Sequence, residues 1–185
     1  MKLLKTKLIK TTLNLILLLT FCLPAFADSE FTLTSPDISE GKTLDISQVY
    51  NGFGCEGKNI SPELNWENAP EKTKSFAITV YDPDAPTGSG WWHWTAFNIP
   101  NTTTKIERGA KLSGDIVQGR TDFGKSEFGG ACPPKGDKAH RYIFTIFALD
   151  VEKIELDKMA PGALVGFQLN AHAIKKASIT AKYGR

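Results

Sequence analysis

The sequence predicts a mostly β protein, a two-sheet antiparallel β-sandwich with short helices near its C-terminus. Three observations carry this. Short apolar or alternating runs recur from residue 30 onward, Gly, Pro, Asn and Asp punctuate them, and helical periodicity appears only after Pro161.

The runs, in order, are "EFTLTS" (30–35), "TLDISQVY" (43–50), "SFAITVYD" (75–82), "WTAFNIP" (94–100), "DIVQGRT" (115–121) and "RYIFTIFALD" (141–150). "FAITVY" and "YIFTIFAL" are apolar almost throughout, which predicts central strands covered on both faces. After Pro161 and Gly162, "ALVGFQLNAHAIKKA" places Leu164, Phe167, Ala171 and Ile174 at helical spacing, and Pro161 suits a helix start. "SITAKY" closes the chain as an alternating strand.

The N-terminus reads as an export signal. A basic stretch, "MKLLKTKLIK", precedes the apolar "LNLILLLTFCLP" and an "AFA" cleavage site before Asp28, so residues 1–27 form a signal peptide and residues 28–185 a single domain. The apolar stretch is shorter than the roughly 20 residues of a spanning helix, so no membrane span is expected once the signal is removed. Four of the 22 basic residues are lysines of this segment (Lys2, Lys5, Lys7, Lys10), leaving 18 against 20 acidic residues. The remainder is slightly acidic, which argues against a nucleic-acid partner. Cys55 and Cys132 remain without CxxC spacing, and in an exported chain they point to one disulfide, the alternative being two buried thiols. The expected location is periplasmic or secreted.

Two segments carry the chemistry. In "YDPDAPTGSGWWHW" (81–94), Pro83 and Pro86 stiffen a turn bearing Asp82 and Asp84, and His93 follows among Trp91, Trp92 and Trp94. Either aspartate could orient the His93 ring and favour its charged form. In "FGGACPPKGDKAHRY" (128–142), Gly129 and Gly130 could turn backbone N–H groups toward an anion, with Pro133 and Pro134 stiffening the rim. His140 and Tyr142 alternate, so they share one strand face, and Arg141 points away. Two histidines, a tyrosine hydroxyl and glycine N–H groups make a small anion pocket in which His93 and His140 donate from opposite walls.

Other signals lead nowhere. "DFG" (122–124) and "HRY" (140–142) echo kinase motifs in reversed order and without a glycine-rich nucleotide loop. His93, His140 and His172 lack close ligand spacing, so neither a metal nor a cofactor is expected.

"NISPELNW" (59–66), "YDPDAPTGSGWWHW", "CPPKGDKAHRY" and "VGFQLNAHAI" (165–174) together resemble, in order and spacing, the phosphatidylethanolamine-binding proteins. The likeness is greatest to the bacterial branch labelled Raf kinase inhibitor-like, YbhB/YbcL type. The resemblance implies a β-sandwich and a pocket for phosphate-like anions such as a phosphoethanolamine headgroup. By position it implies that Asp82, Asp84, Pro86, Trp91 and His93 line one wall, and Gly130, Pro134, His140 and Tyr142 the other. Phe128 and Ala131 depart from the commonest family pattern, which has a tyrosine at the first position and a proline at the second. The lost hydroxyl would weaken ligand orientation.

The function expected is thus an exported protein that binds a small phosphorylated or carboxylated ligand and modulates a protein partner. Two alternatives stand beside it: a hydrolase using a His/Asp pocket, and an inhibitor of a protease or kinase acting through the rim loop "PTGSGWW". Catalysis is not expected, because Cys132 is assigned to the disulfide and Ser89 sits in a glycine turn without a nucleophile motif.

Overall fold

The computed structural model describes residues 29–185; the signal segment inferred for residues 1–27 lies outside them. In chain order the strands are β1 (Thr32–Thr34), β2 (Asn51–Gly52), β3 (Cys55–Glu56), β4 (Leu64–Glu67), β5 (Ser75–Asp82), β6 (Trp91–Pro100), β7 (Lys105–Ile106), β8 (Val117–Gln118), β9 (His140–Leu149) and β10 (Ala173–Tyr183). Strands β10-β9-β5-β6-β8 form a five-stranded sheet, β1-β4-β7 a three-stranded one, and β2-β3 a small hairpin, every strand pair being antiparallel. One α-helix among the described residues, α1 (Gly162–His172), stands where short helices were expected.

Alternation along the central strands builds two cores. Phe76, Ile78 and Val80 of β5, with Phe144 and Ile146 of β9, face the three-stranded sheet and meet Leu64 and Trp66 of β4. Ala77 and Phe147 point to the opposite face, where Val165 and Leu169 of α1 cover them. The near-continuous apolar character of these strands therefore has the expected cause, burial on both faces.

Two sequence expectations fail. "TLDISQVY" is not a strand: Asp45 caps a 3-10 turn, Ile46–Gln48, by accepting from the Ser47 N–H, and only Thr43 and Val49 make isolated bridges. The apolar face of α1 is also different. Leu164, Phe167 and Ala171 are exposed, whereas Gly162, Val165, Gly166 and Leu169 are buried. The cause is Trp92, whose indole lies so close that a Cβ at Gly162 would come within 2.2 Å of Trp92 Cγ, and one at Gly166 within 2.8 Å of Cη2. The helix is seated through its glycines, which an apolar-periodicity reading does not register. Ile174 belongs to β10, because the chain leaves the helix after His172 and pairs with β9 from Ala173.

Cys55 and Cys132 are disulfide-bonded across a separation of 77 residues. The bridge ties β3 to the segment before β9. Replacing both cysteines by alanine should lower unfolding free energy by about 2–5 kcal/mol, with the larger part of the effect in the unfolded chain. Denaturant unfolding of oxidised, reduced and double-variant protein checks this; equal stability of all three would contradict it.

Candidate anion-binding site

At one end of the sandwich the inward rows of β5 and β9 change from apolar to polar. Asp82 continues the row Phe76, Ile78, Val80, and His140 continues the row Ile146, Phe144, Tyr142. Period-2 geometry thus turns both groups toward the interior, and both are buried.

They meet there. His140 Nδ1 donates to Asp82 Oδ2 at 2.8 Å, while Asp82 Oδ1 accepts from the N–H groups of Asp84 and Ala85 at 2.8 and 3.1 Å. The aspartate expected to orient His93 therefore orients His140. Asp84 lies outside the pocket and holds Arg141: its Oδ2 accepts from the Arg141 backbone N–H and Nε, both at 2.9 Å, and its Oδ1 accepts from Nη2 at 2.7 Å. These bonds bring the Asp84 carboxyl down to about 2. The two motif segments are interlocked pairwise, Asp82 with His140 inside and Asp84 with Arg141 outside.

His93 is held by backbone instead. Its Nδ1 lies 2.8 Å from the Gly129 carbonyl and 3.1 Å from that of Gly130. Both partners can only accept, so Nδ1 carries the proton and Nε2 is the open ring atom. A β-bulge aims the ring. Val80 pairs with Trp94 but Tyr81 with Trp92, which leaves His93 as the extra residue of β6. The bulge puts His93 on the same side as Trp94, against Tyr142, while Trp92 faces α1. Burial pushes the His93 ring below the ordinary histidine value, outweighing the Gly129 hydrogen bond and the Asp82 charge, which act the other way. His93 is thus neutral at pH 7, not the imidazolium expected.

The glycine N–H groups are not open to a ligand. Gly129 N–H donates to the His93 carbonyl and Gly130 N–H to Asn59 Oδ1. Gly130 is a close-approach residue, since a Cβ there would lie 2.4 Å from the Gln48 carbonyl oxygen. Asn59, in the left-handed region at φ 53°, also donates from Nδ2 to the Phe128 carbonyl. It fixes the segment whose carbonyls hold His93.

Around Asp82, His93 and His140 lies a cavity of about 220 Å³. Pro86, Trp91 and Pro134 line it as the sequence suggested, together with Phe53, Phe123 and the bridged Cys132. Phe123 packs on His93 and Trp91 with ring centroids at 5.3 and 5.4 Å. It is carried there by a loop that pairs with Trp92: Asp122 Oδ2 accepts from the Trp92 N–H at 2.7 Å and Asp122 N–H donates to the Trp92 carbonyl. Three expected wall residues do not line the cavity: Asp84, Gly130 and Tyr142. Tyr142 is buried beneath, its ring 5.1 Å from that of His93 and its hydroxyl without a hydrogen-bond partner among the described residues; burial, then the Asp82 charge, raises that hydroxyl well above the ordinary tyrosine value. Phe128 turns the other way, onto Trp94, so its missing hydroxyl is not missing from this wall.

The family model described as phosphatidylethanolamine-binding protein matches residues 34–184, almost the whole described chain. The chain belongs to the phosphatidylethanolamine-binding protein family. Relatives within it include UPF0098 protein YbcL of Escherichia coli strain K12, 54% identical over 185 residues with 97% of this chain and 98% of the relative covered. UPF0098 protein YbhB of the same strain is 49% identical over 156 residues, 82% of this chain and 98% of the relative. The crystal structure of E. coli YbcL, described as a new member of the mammalian PEBP family, superposes with a TM-score of 0.83 at 56% identity, covering 85% of this chain and 99% of that one. A homologue from Chlamydia trachomatis superposes at 0.72 with 28% identity, over 84% and 97% of the two chains. Family and fold expectations both hold.

The depressed His93 value has a stability consequence. Below about pH 6.5 the unfolded chain binds a proton that the folded ring resists, so folded stability is complete above that pH and erodes as pH falls. Asp84 adds a second loss between about pH 4 and 2, in the same direction. His93→Asn keeps a donor near the Nδ1 position without a titrating ring. Unfolding titrations against pH should lose the first limb in this variant and keep the second; a first limb of unchanged size would contradict the assignment.

Proposed function

We propose that this is an exported small-anion-binding protein, taking a phosphate- or carboxylate-bearing ligand between His93 and His140 and modulating a protein partner through the occupied pocket. The observation that carries this is the state of the two rings. Each spends its Nδ1–H on the protein, and both line one cavity with Nε2 as the remaining polar atom. The family's described ligand, a phosphate ester, is consistent with such a pair. The disulfide suits an oxidising compartment and supports the export reading of residues 1–27.

Neutral His93 Nε2 accepts rather than donates, so an anion enters with a proton, carried on the ring or on the ligand oxygen. Binding therefore favours the protonated form of the ring or of the ligand. Asp137 Oδ2 lies 3.6 Å from His140 Nε2, so an anion at that atom competes with this carboxylate.

Binding is favoured over catalysis by the hydroxyls and thiols nearby. The Thr87 hydroxyl donates to the Gly90 carbonyl, Cys132 is bridged, and Ser89 is exposed on the turn. The rim loop is a poor inhibitor anchor, since Trp92 is spent against α1.

Calorimetric titration with inorganic phosphate, acetate and phosphoethanolamine tests the reading. Affinity should be higher at about pH 5.5 than at pH 8, because the ring charge is lost on the way. His93→Asn and His140→Asn, which keep a donor near Nδ1 and remove Nε2, should each weaken binding by about 1.5–3 kcal/mol, as for a hydrogen bond to a charged group. Affinity indifferent to pH and to both substitutions would overturn it.

A further inference from the structure

The pocket is mostly apolar. Three ionisable groups, Asp82, His93 and His140, line it, and Asp82 already accepts three hydrogen bonds from the protein. At about 30 Å³ per water-sized group, 220 Å³ exceeds what the five heavy atoms of a phosphate fill. Phe53, Trp91 and Phe123 supply the aromatic part of the lining.

Those rings form a continuous wall from floor to mouth. Phe123 touches His93 at 5.3 Å between centroids, Phe53 lies 5.7 Å from Phe123, and Tyr50 backs both at 4.2 Å from Phe123 and 5.7 Å from Phe53. Phe53, at the mouth, is 68% exposed and has φ 52°, a conformation that bulky side chains adopt rarely and at a cost. Core packing does not explain a strained ring that stays mostly in solvent.

The surrounding structure enforces this placement. Gly52 and Gly54 flank Phe53 at φ 145° and 76°, and Cys55 anchors the hairpin through the disulfide. Arg185 clamps the turn to the opposite rim, donating from Nη1 to the Gly54 carbonyl at 2.6 Å, from Nη2 to that of Phe53 at 3.3 Å and from Nε to that of Pro133 at 2.8 Å. The disulfide at Cys55 and the Arg185 clamp thus hold the Phe53 backbone at the pocket mouth.

We infer that Phe53 is a specificity residue, and that the preferred ligand class is an anion bearing a compact aromatic group, such as an aryl phosphate. The anion sits on the His93 and His140 floor, and the aromatic group lies along Phe123 to Phe53, offset or edge-on as such rings prefer. The inference rests on the anion reading above and adds the chemistry of the rest of the ligand.

The test is calorimetry at about pH 5.5 with inorganic phosphate and phenyl phosphate, on the wild-type full chain and on Phe53→Asn. Asparagine tolerates positive φ, so the variant should melt at or above the wild-type temperature. Phenyl phosphate should bind wild type about tenfold tighter than inorganic phosphate, the order expected for burying one ring face. In Phe53→Asn that advantage should shrink to about threefold or less, phenyl phosphate losing more affinity than inorganic phosphate. Phenyl phosphate binding no tighter than phosphate, or a substitution that weakens both alike, overturns the inference and leaves the anion reading standing. Wild type that binds neither overturns both. If Phe53→Asn fails to fold, Phe53→Leu, which keeps apolar bulk without the ring, should still lose most of the advantage; retention of it in the leucine variant also overturns the aromatic assignment.

Discussion

The arrangement of this site depends on one buried carboxylate. Asp82 sits at the last inward position of β5, where the sandwich opens, and both of its oxygens accept from the protein: Oδ1 from two backbone N–H groups of the following turn, Oδ2 from His140. A buried carboxylate without such partners would be strongly destabilising, so the turn and the histidine are required by the charge as much as they are positioned by it. The bond joins the end of β5 to the start of β9, directs His140 Nε2 away from the protein interior and sets a negative charge near His93 and Tyr142. The exposed Asp84–Arg141 pair repeats the connection on the outside, where solvent screens it and geometry is its main contribution.

A second constraint is the bulge at His93. Without it, strict alternation would send Trp94 and Trp92 to one side and His93 to the other, toward α1. With it, Trp94 fills the inter-sheet core, His93 reaches the cavity, and Trp92 is released to pack on Gly162 and Gly166. One extra residue thus separates three adjacent aromatic rings into a core, a site and a helix seat. The carbonyls of Gly129 and Gly130, held in turn by Asn59, then fix which ring nitrogen of His93 is left open.

Much of this was legible in the sequence, and the parts that were not share a cause. β5, β6 and β9 were readable because strands buried on both faces must be apolar over their length. β2, β3 and β7, two residues each, have no period to read, and β4 was visible only as a motif. The helix face was misread because two of its four buried positions, Gly162 and Gly166, are glycines packed on Trp92. At the site, Asp82, His93 and His140 stood out by residue type, yet their pairing depends on β5 lying between β9 and β6. From the chain alone Asp82 is near His93, whereas in space its oxygen meets His140. Phe53 and Phe123 are loop residues delivered by a disulfide, an arginine clamp and the Asp122–Trp92 hydrogen bonds, none of which has a local signature. Asn59 lay in a segment quoted for the family resemblance, and its role in holding the second segment gives that motif a physical reason.

Ligand binding in this pocket requires two rings locked with their protons on Nδ1 and their Nε2 atoms left for a ligand. Nitrogen-15 NMR of the histidine side chains reads this directly. At pH 7, without ligand, His93 should show a neutral ring with the proton on Nδ1, and His140 should show an Nδ1 proton hydrogen-bonded to a carboxylate, shifted on replacing Asp82 by Asn. A charged His93, or either ring carrying its only proton on Nε2, would contradict the account.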